Sequence, residues 1–488
     1  MNKEAFSNNV PPFSQRVLGL GDRIAAAPDA GFPRGSSTAS LAVPDQLLVH
    51  EDHFDAVRNY LASREVEVNA LGTVFQDMDR VTEDVVIAEL SNLPSDQNID
   101  VLTDDIRTEV SSLREVNPGR VSPNHVLVPA GNGVGCPSGP PGEGQDVSLA
   151  EPPPGPSPTV TVIDSGYQWD DPAWGANPLA GLCQLVAVKP AEYVQGTPTL
   201  AALKAILPAA TAGWNQGVPE PPAQNNTMLH ALAGHANFVG GVIAQGCHRP
   251  TLNIWTHNSS FVANRDFFPT EAAVCRSIVK SQLPDSEGGT GPTDVIYVGF
   301  AFPLRRKVPR RKGVSRELAQ DFLSEVWELT FQRLTHNPLV VAPAGNEATT
   351  NRHYPAALDT VFPNTLYQNV IGVASLNTKR HKLSTFSNRG DWVRCSAVGE
   401  GVVSTFLAVK NVTCEEDPPN AAGVRPAKDF SDGWATWNGT SFAAPKVAAA
   451  LAARTAAGAT PIAAWNALVT VLGNPVSQPG AGTRFQNL

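Results

Sequence analysis

The chain of 488 residues has few cysteines, and their spacing is not paired. The six are widely scattered and form no C-x-x-C motif: Cys136, Cys183, Cys247, Cys275, Cys395 and Cys414. This argues against the common zinc-site patterns and against a dense disulfide framework. We expect mostly reduced thiols in a cytoplasmic protein. An exported form with disulfides stays open as the alternative, because the number of cysteines is even.

Long apolar runs are also missing. No stretch has the length that a membrane-spanning helix needs, so we expect no membrane partner. The short apolar run at 17–20 is interrupted at once by Gly21, Asp22 and Arg23, before the apolar core of a secretory signal could develop. Both features favour a cytoplasmic location.

Positive charge is scarce as well. Lys and Arg number 36 against 46 Asp and Glu, which gives a formal net charge of −10. A protein that neutralises phosphates needs a clustered basic surface, so this balance argues against nucleic acid as a partner. One basic run, 305–312, is interpreted as a solvated loop.

What the chain does contain divides it into parts. Residues 1–40 are rich in Asn, Pro, Gly and Ser and predict a flexible N-terminal arm. Residues 41–130 predict a small domain with the element order β-α-β-β-α-β, a ferredoxin-like α+β sandwich. Residues 131–158 are so rich in Pro and Gly that we expect neither a helix nor a strand ladder there, but an easily cut linker.

The small domain has several predicted landmarks. Its first strand is predicted at 46–49, and Val57 and Leu61 mark the inner face of its first helix. Thr103 is predicted to cap the second helix, and 125–128 is predicted to be the last strand.

Residues 159–488 predict a larger domain of the α/β class. Short β-rich runs alternate with helical stretches such as 317–334; the runs are 160–163, 294–298, 339–342 and 370–373. Apolar strands separated by helices indicate a parallel sheet with helices on both faces.

The segment 438–445 reads Asn-Gly-Thr-Ser-Phe-Ala-Ala-Pro and continues into an alanine-rich helical stretch. Ser441 therefore stands at a helix start, where the positive end of the helix favours a nucleophile that develops negative charge. Thr and Ser are also ordinary helix caps, so this segment alone fits a simple N-cap equally well. A base, an acid and an oxyanion donor elsewhere would favour the nucleophile.

Residues of those three kinds lie in suitable places. Asp164 closes the strand at 160–163, at the carboxyl end where parallel sheets build their sites. His235 lies in a helix-like stretch rich in small residues, and Asn346 follows the strand at 339–342, where its amide could donate to an oxyanion. Asp and Asn are also common turn residues, which is the alternative interpretation.

In the order Asp164, His235, Asn346, Ser441, the segments resemble the signatures of the subtilisin-like serine peptidases over roughly 159–457. Asp164 matches the family's Asp-Ser/Thr-Gly motif, and His235 matches the first histidine of His-Gly-Thr-His-Val-Ala-Gly. Asn346 matches Ala-Gly-Asn, and Ser441 matches Gly-Thr-Ser-Met-Ala-x-Pro. The resemblance implies a subtilisin-like parallel sheet and a serine endopeptidase acting on proteins or peptides. Ser441, His235 and Asp164 would be its catalytic triad and Asn346 its oxyanion donor.

The chain departs from the family pattern at two places. Ala-Asn-Phe follows His235 where the family usually has Gly-Thr-His, and 299–302 reads Gly-Phe-Ala-Phe where the family commonly has Ser-Leu-Gly-Gly. No dependable calcium loop is found, so we expect no cofactor and no metal, with a structural calcium ion as the open alternative.

The resemblance also implies a set of substrate-binding residues: Gly299, Phe300, Ala301, Ala344, Gly345 and Glu347. The edge segment near 299–302 is expected to pair with an extended peptide. Glu347 is hypothesised to face the specificity pocket and to favour a basic or polar P1 side chain.

Many secreted members of the family carry a βαββαβ pro-domain whose C-terminal tail lies in the substrate groove. The resemblance therefore implies that residues 41–130 act as an intramolecular chaperone and inhibitor, with the tail after Val128 near the active site and the linker cut on activation. A docking module without inhibitory activity is the alternative.

Two other functions stay open on the sequence. One is a catalytically inactive scaffold or binding module of the same fold, which a fluorophosphonate would not label. The other is a different hydrolase, such as an esterase or a sedolisin-like peptidase. It is disfavoured because the base motif supplies His and not Glu, and the serine motif is not a Gly-x-Ser-x-Gly elbow.

Overall fold

The computed structural model describes most of the chain, and the structural statements below concern these residues. They are 25–26, 41–75, 83–94, 99–114, 118–125, 127–129, 139–144, 154–165, 178–190, 227–229, 233–257, 269–303, 323–361, 367–379, 382–414, 417, 420–473, 480–485 and 488. The predicted N-terminal arm, 1–40, lies outside them except for 25–26.

The N-terminal part forms a five-stranded antiparallel sheet. Its strands are β1 (Ala25–Ala26), β2 (Leu41–His50), β3 (Glu67–Thr73), β4 (Val85–Ser91) and β5 (Val121–His125). Its helices are α1 (Glu51–Ala62), α2 (Ile99–Glu109) and α3 (Ser111–Arg114), and a 3-10 turn follows at Pro118–Arg120. The strand order is β1-β2-β4-β3, with β5 also paired to β2. From β2 to β5 the elements follow the predicted order β-α-β-β-α-β.

Helix α1 begins at a local capping interaction. His50 Nδ1 accepts a hydrogen bond from Asp52 N at 3.3 Å, and the acidic first turn complements the positive end of the helix. Val57 and Leu61 are buried in the core of the small domain, as predicted.

Helix α2 corrects one prediction. It begins at Ile99, and Thr103 Oγ1 donates to Ile99 O at 2.7 Å inside the helix. The prediction that Thr103 caps this helix is therefore wrong, because its hydroxyl is satisfied by the carbonyl four residues earlier. Arg107 Nε donates to Val121 O at 2.8 Å and ties α2 to β5.

The remaining strands are short. They are β6 (Val128–Pro129), β7 (Gly142–Glu143), β8 (Thr159–Asp164), β9 (Leu185–Pro190), β10 (Thr227–Leu229), β11 (Thr251–Thr256), β12 (Val295–Val298), β13 (Phe300–Pro303), β14 (Leu339–Pro343), β15 (His353–Tyr354), β16 (Val370–Leu376), β17 (Cys395–Val398), β18 (Val402–Thr405), β19 (Lys410–Cys414), β20 (Lys428–Asp429), β21 (Trp434–Trp437) and β22 (Thr483–Phe485). Eight of them form one parallel sheet in the order β22-β17-β16-β14-β12-β8-β11-β9.

Helices cover both faces of this parallel sheet. They are α4 (Leu179–Leu182), α5 (His235–Gly246), α6 (Glu271–Ser281), α7 (Glu325–Gln332), α8 (Leu358–Val361), α9 (Thr440–Ala456) and α10 (Pro461–Leu472). Successive side chains of β8 point to opposite faces, so Val162 shares a core cluster with Phe238 of α5, whereas Ile163 shares another with Ile278 of α6. The predicted α/β fold with helices on both faces is confirmed. Of the predicted helix at 317–334, the described part contains α7.

In the described part of the chain, no single helix is long and apolar enough to cross a bilayer. Only α9 and α10 taken together reach that length and hydropathy, and they meet at a bend of 118°.

The predicted linker, 131–158, contains one strand, so the expectation that it forms no ladder is wrong at β7. Gly142 and Glu143 pair with Thr436 and Ala435 of β21, and Gly144 N donates to a carbonyl of the same strand. Gly-rich and Pro-rich composition predicted a linker, but a short edge strand tolerates these residues.

The predicted last strand of the small domain, 125–128, is divided in two. Strand β5 ends at His125, and β6 leaves the small sheet to pair antiparallel with β13. The pairs are Val128 with Ala301 and Pro129 with Phe300. The end of the N-terminal domain therefore runs along the parallel-sheet unit.

One face of the small sheet is covered by α1 and α2. The opposite face packs against α6 and α7, where Phe75 and Trp327 share one core cluster. A buried hydrogen bond and an ion pair lie in this contact. His125 Nδ1 is 2.8 Å from the buried carboxylate of Glu271, and Arg120 Nε is 3.3 Å from that of Glu325. Burial raises the pKa of Glu325 to about 7, against the opposing effect of Arg120.

Candidate active site

Asp164 lies at the carboxyl end of β8, between β11 and β12. Its side chain is fully buried, and Oδ1 accepts hydrogen bonds from Ser165 N at 2.5 Å and from His235 Nδ1 at 2.7 Å. Gly299 N donates to Ile163 O at 2.8 Å, and a Cβ on Gly299 would collide with Asp164 Oδ2. Glycine at this position therefore lets the next strand approach the carboxylate.

His235 is the first residue of α5. The residue before it, Gly234, has a left-handed φ of +76°, and a Cβ there would collide with the ring of Phe406. Both the backbone conformation and the space require glycine. This turn sets the direction in which the imidazole leaves the helix start, toward Asp164.

Ser441 is the second residue of α9, at the helix start where the sequence predicted it. Its side chain is fully buried, and the ring of the next residue, Phe442, lies 5.5 Å from the His235 ring. Among the described residues, neither Ser441 Oγ nor His235 Nε2 has a hydrogen-bond partner. Catalytic hydrogen bonds of this kind often form only when substrate is bound.

Asn346 is held by the residue before Ser441. Thr440 N and Thr440 Oγ1 both donate to Asn346 Oδ1 at 2.9 Å, and Gly345 N donates to Thr440 Oγ1 at 3.1 Å. Because Oδ1 accepts both bonds, the amide NH₂ of Asn346 is the end that points away from Thr440. The fold thus brings Asn346 and Ser441 together through Thr440.

Aromatic side chains surround the imidazole. Trp437 meets His235 edge-on with ring centroids 6.2 Å apart, and the Phe442 ring lies 5.5 Å from His235, 5.3 Å from Trp437 and 4.4 Å from Phe238. These rings are buried in the core cluster of α5 and α9. An apolar wall of this kind lowers the local dielectric and strengthens the bond between Asp164 and His235.

Three of the expected substrate-binding residues lie together beside Asp164. Gly299 separates β12 from β13, and Phe300 and Ala301 begin β13. Phe300 and Ala301 are the residues that pair with β6, so a strand from the N-terminal part occupies this edge.

The other three, Ala344, Gly345 and Glu347, lie on the loop after β14. The Glu347 side chain is only 4% exposed; it accepts a hydrogen bond from Asn388 Nδ2 at 2.6 Å and lies 3.4 Å from His353 Nε2. These contacts argue against the hypothesis that Glu347 faces a specificity pocket, because two buried side chains already bind its carboxylate.

Sequence reasoning misses His257. Its backbone N donates to Asp164 O at 2.8 Å, and its ring meets Phe300 edge-on at 5.5 Å. Burial lowers the pKa of His257 to about 3, against the opposing effect of the Asp164 carboxylate, so this imidazole is neutral. No sequence signal indicates it, because His257 reaches Asp164 only through the strand register, in which Thr256 of β11 aligns with Asp164 of β8.

Metal ligands are not grouped in the described ranges of the chain. No three His, Cys, Asp or Glu side chains there form a set that could hold a metal ion.

A comparison with known protein families matches part of the chain. Residues 291–476 match the sequence model of the subtilase family, Peptidase_S8. The match includes Asn346 and Ser441 and begins after Asp164 and His235. Over these residues the chain is similar to the subtilisin-like serine peptidases, the family that its motifs resemble. A search of curated proteins found no match.

Solved structures similar to this chain are peptidases. Fervidolysin from Fervidobacterium pennivorans, a keratinolytic enzyme related to subtilisin, is 15% identical; the alignment covers 94% of this chain and 61% of that chain, with a TM-score of 0.48. A lanthipeptide protease is 17% identical, with coverage of 68% and 87% and a TM-score of 0.39. A protease from Pseudoalteromonas arctica PAMC 21717 is 16% identical, with coverage of 67% and 87% and a TM-score of 0.38.

Replacing Gly234 with alanine should destabilise the protein by more than backbone strain alone, because the added methyl group collides with Phe406. Gly458 is a matched control, since it has a φ of +97° and open space around a built Cβ. We expect Gly458→Ala to lower the free energy of unfolding by about 1–2 kcal/mol and Gly234→Ala by at least about 3 kcal/mol, as measured by urea denaturation. Equal losses in the two variants would contradict this account of the turn.

Proposed function

We propose that the chain hydrolyses peptide bonds through an acyl-enzyme on Ser441. The observation that carries the proposal is the buried 2.7 Å bond from His235 Nδ1 to Asp164 Oδ1, beside the helix start that bears Ser441. With Nδ1 donating to the carboxylate, Nε2 is the nitrogen that can accept a proton.

Each step of the proposed reaction can then be assigned to a residue. Ser441 Oγ attacks the peptide carbonyl carbon while His235 Nε2 takes its proton, and Asp164 stabilises the imidazolium. Collapse of the tetrahedral intermediate breaks the C–N bond, and His235 returns the proton to the leaving amine. Water, activated by His235, then attacks the ester and releases the carboxylic acid and Ser441. The reaction needs no metal or cofactor.

Asn346 is assigned to the oxyanion. Its amide oxygen accepts both bonds from Thr440, and its NH₂ group is assigned to donate to the negative oxygen of the intermediate. Loss of one such donor costs about 3–4 kcal/mol of transition-state stabilisation in comparable sites. Electrostatic stabilisation by a donor already in place is the largest single contribution in sites of this kind.

Fluorophosphonate labelling tests the nucleophile. The wild-type chain should be labelled on Ser441, and Ser441→Ala should not be labelled. Asp164→Asn should slow peptide hydrolysis by about four orders of magnitude, because the amide favours the wrong imidazole tautomer. A folded wild-type chain that is not labelled even after its N-terminal domain has been removed would favour the inactive scaffold instead.

The N-terminal domain is assigned the role of a tethered inhibitor. Three observations support this role: β6 pairs with β13 next to Gly299, the triad side chains are fully buried, and the two units share a core cluster. A strand that occupies the edge of β13 excludes a substrate strand from the same backbone groups.

The cut that releases this inhibitor should fall between Pro129 and Gly139. The residues after that point are bound to the peptidase unit: Trp437 Nε1 donates to Gly139 O at 2.7 Å, and Lys428 Nζ donates to Pro141 O at 2.5 Å. Mass spectrometry of the purified chain should therefore find a new N-terminus after 129 that retains Gly139.

Ser441→Ala is the control for this processing and should remain uncut. Peptide hydrolysis should rise after the cut, once the N-terminal domain is removed. A processed peptidase that is no more active than the uncut chain would favour the docking module without inhibition.

Glu347 should not set the P1 preference, because its carboxylate is bound by Asn388 and His353. Glu347→Gln should leave the ratio of kcat/KM for Arg-containing and Leu-containing P1 substrates unchanged within about twofold, because contacts between the pocket and the P1 side chain set this ratio. Peptide substrates that differ only at P1 provide the measurement. A selective loss of hydrolysis after Arg or Lys would restore the original hypothesis.

A further inference from the structure

Asn388 is a fully buried polar residue that the proposed reaction does not use. It lies between β16 and β17, and its amide bonds to the loop that follows β14. Asn388 Nδ2 donates to Ala344 O at 2.9 Å and to Glu347 Oε2 at 2.6 Å. Its Oδ1 accepts from Glu347 N at 3.0 Å and from Thr349 N at 3.1 Å.

The backbone around Asn388 binds the same loop. Asn388 N donates to Gly345 O at 2.9 Å, and Arg389 N donates to Thr349 O at 3.0 Å. Together with the side-chain bonds, these contacts hold the loop on both sides of Asn346. Thr440 fixes the amide group of Asn346, whereas Asn388 fixes the backbone that carries it.

We propose that Asn388 is a positioning residue that holds the 344–349 loop so that the Asn346 amide meets the oxyanion at Ser441. The inference deepens the proposed function and rests on it. A displacement of about 1 Å at a reacting group can cost about a hundredfold in rate, so a small movement of this loop would be visible in kcat.

The position requires an amide. A side chain there must donate to a carbonyl and a carboxylate while accepting from two backbone N–H groups, and Asn has donors and an acceptor for this. Aspartate has the same shape but no donor, and it would place a second negative charge against Glu347. Alanine would leave the buried groups of the loop unpaired.

The test compares Asn388→Ala, Asn346→Ala and the double variant in the full chain. Turnover of a peptide anilide is measured per Ser441 labelled by fluorophosphonate, so incomplete processing does not bias kcat. Asn388→Ala should lower kcat by about 10–100-fold, with KM changed by less than about twofold. In the Asn346→Ala background, adding Asn388→Ala should lower kcat by less than about threefold, because the amide donor that Asn388 positions is already absent.

Asn369→Ala is the matched control for lost buried bonds. Asn369 lies just before β16, at the opposite end of the sheet, is 8% exposed, and donates to Asn337 O at 2.7 Å. Its variant should lose thermal stability but keep kcat within about twofold. If Asn369→Ala lowers kcat as much as Asn388→Ala, a general loss of stability explains both and the proposal is overturned.

Charge rescue gives a second readout. Asn388→Asp should lower kcat, and adding Glu347→Gln should restore part of it, because the neutral amide introduced by the second change can donate to the new carboxylate. If kcat does not recover in the double variant, repulsion between the side chains at 388 and 347 is not the cause of the loss in Asn388→Asp.

The outcomes separate this inference from the function on which it rests. A folded wild-type chain that is not labelled even after removal of its N-terminal domain overturns both. Two outcomes with a labelled wild type overturn only the positioning role. In one, folded Asn388→Ala has an unchanged kcat; in the other, the effects of Asn388→Ala and Asn346→Ala on kcat simply multiply.

Discussion

The buried hydrogen bond between His235 and Asp164 is the constraint on which the rest of the site depends. It joins the end of a central strand to the start of a helix that lies 71 positions later in the chain. Such a bond forms only if neighbouring backbone comes very close, and this explains the two glycines, Gly234 and Gly299, whose Cβ atoms would collide with the surroundings. The aromatic rings around His235 then keep the pair in an apolar environment, where it is strong.

The sequence predicts those parts of the site that local pattern controls. Asp164 and Asn346 follow apolar strands, and Ser441 begins a helix, because strand ends and helix starts have recognisable residue preferences. The parallel sheet and the order of elements in the small domain follow from hydrophobic periodicity in the same way. These features depend on residues close together in the chain.

The features that the sequence does not predict depend on contacts between distant segments. Glu347 stands next to Asn346, which suggested a role in specificity, but Asn388 and His353 bind its carboxylate from other parts of the chain. His257 becomes a neighbour of Asp164 only through the register of two parallel strands. Strand β7 forms because β21 offers it an edge, and no property of the Gly-rich segment itself indicates that partner.

The segments before and after the proposed cut are attached to the peptidase unit in different ways. Activation would therefore depend on the concentration of the protein. Before the cut, β6 is tethered to the peptidase unit, and a short tether corresponds to an effective concentration of about a millimolar. The segment at 139–144 is bound to the peptidase unit, so only the N-terminal domain would become a separate molecule after the proposed cut. Inhibition would then be bimolecular, and the fraction of free enzyme would depend on dilution. The same chain would thus be restrained where it is crowded together and active where it has spread out.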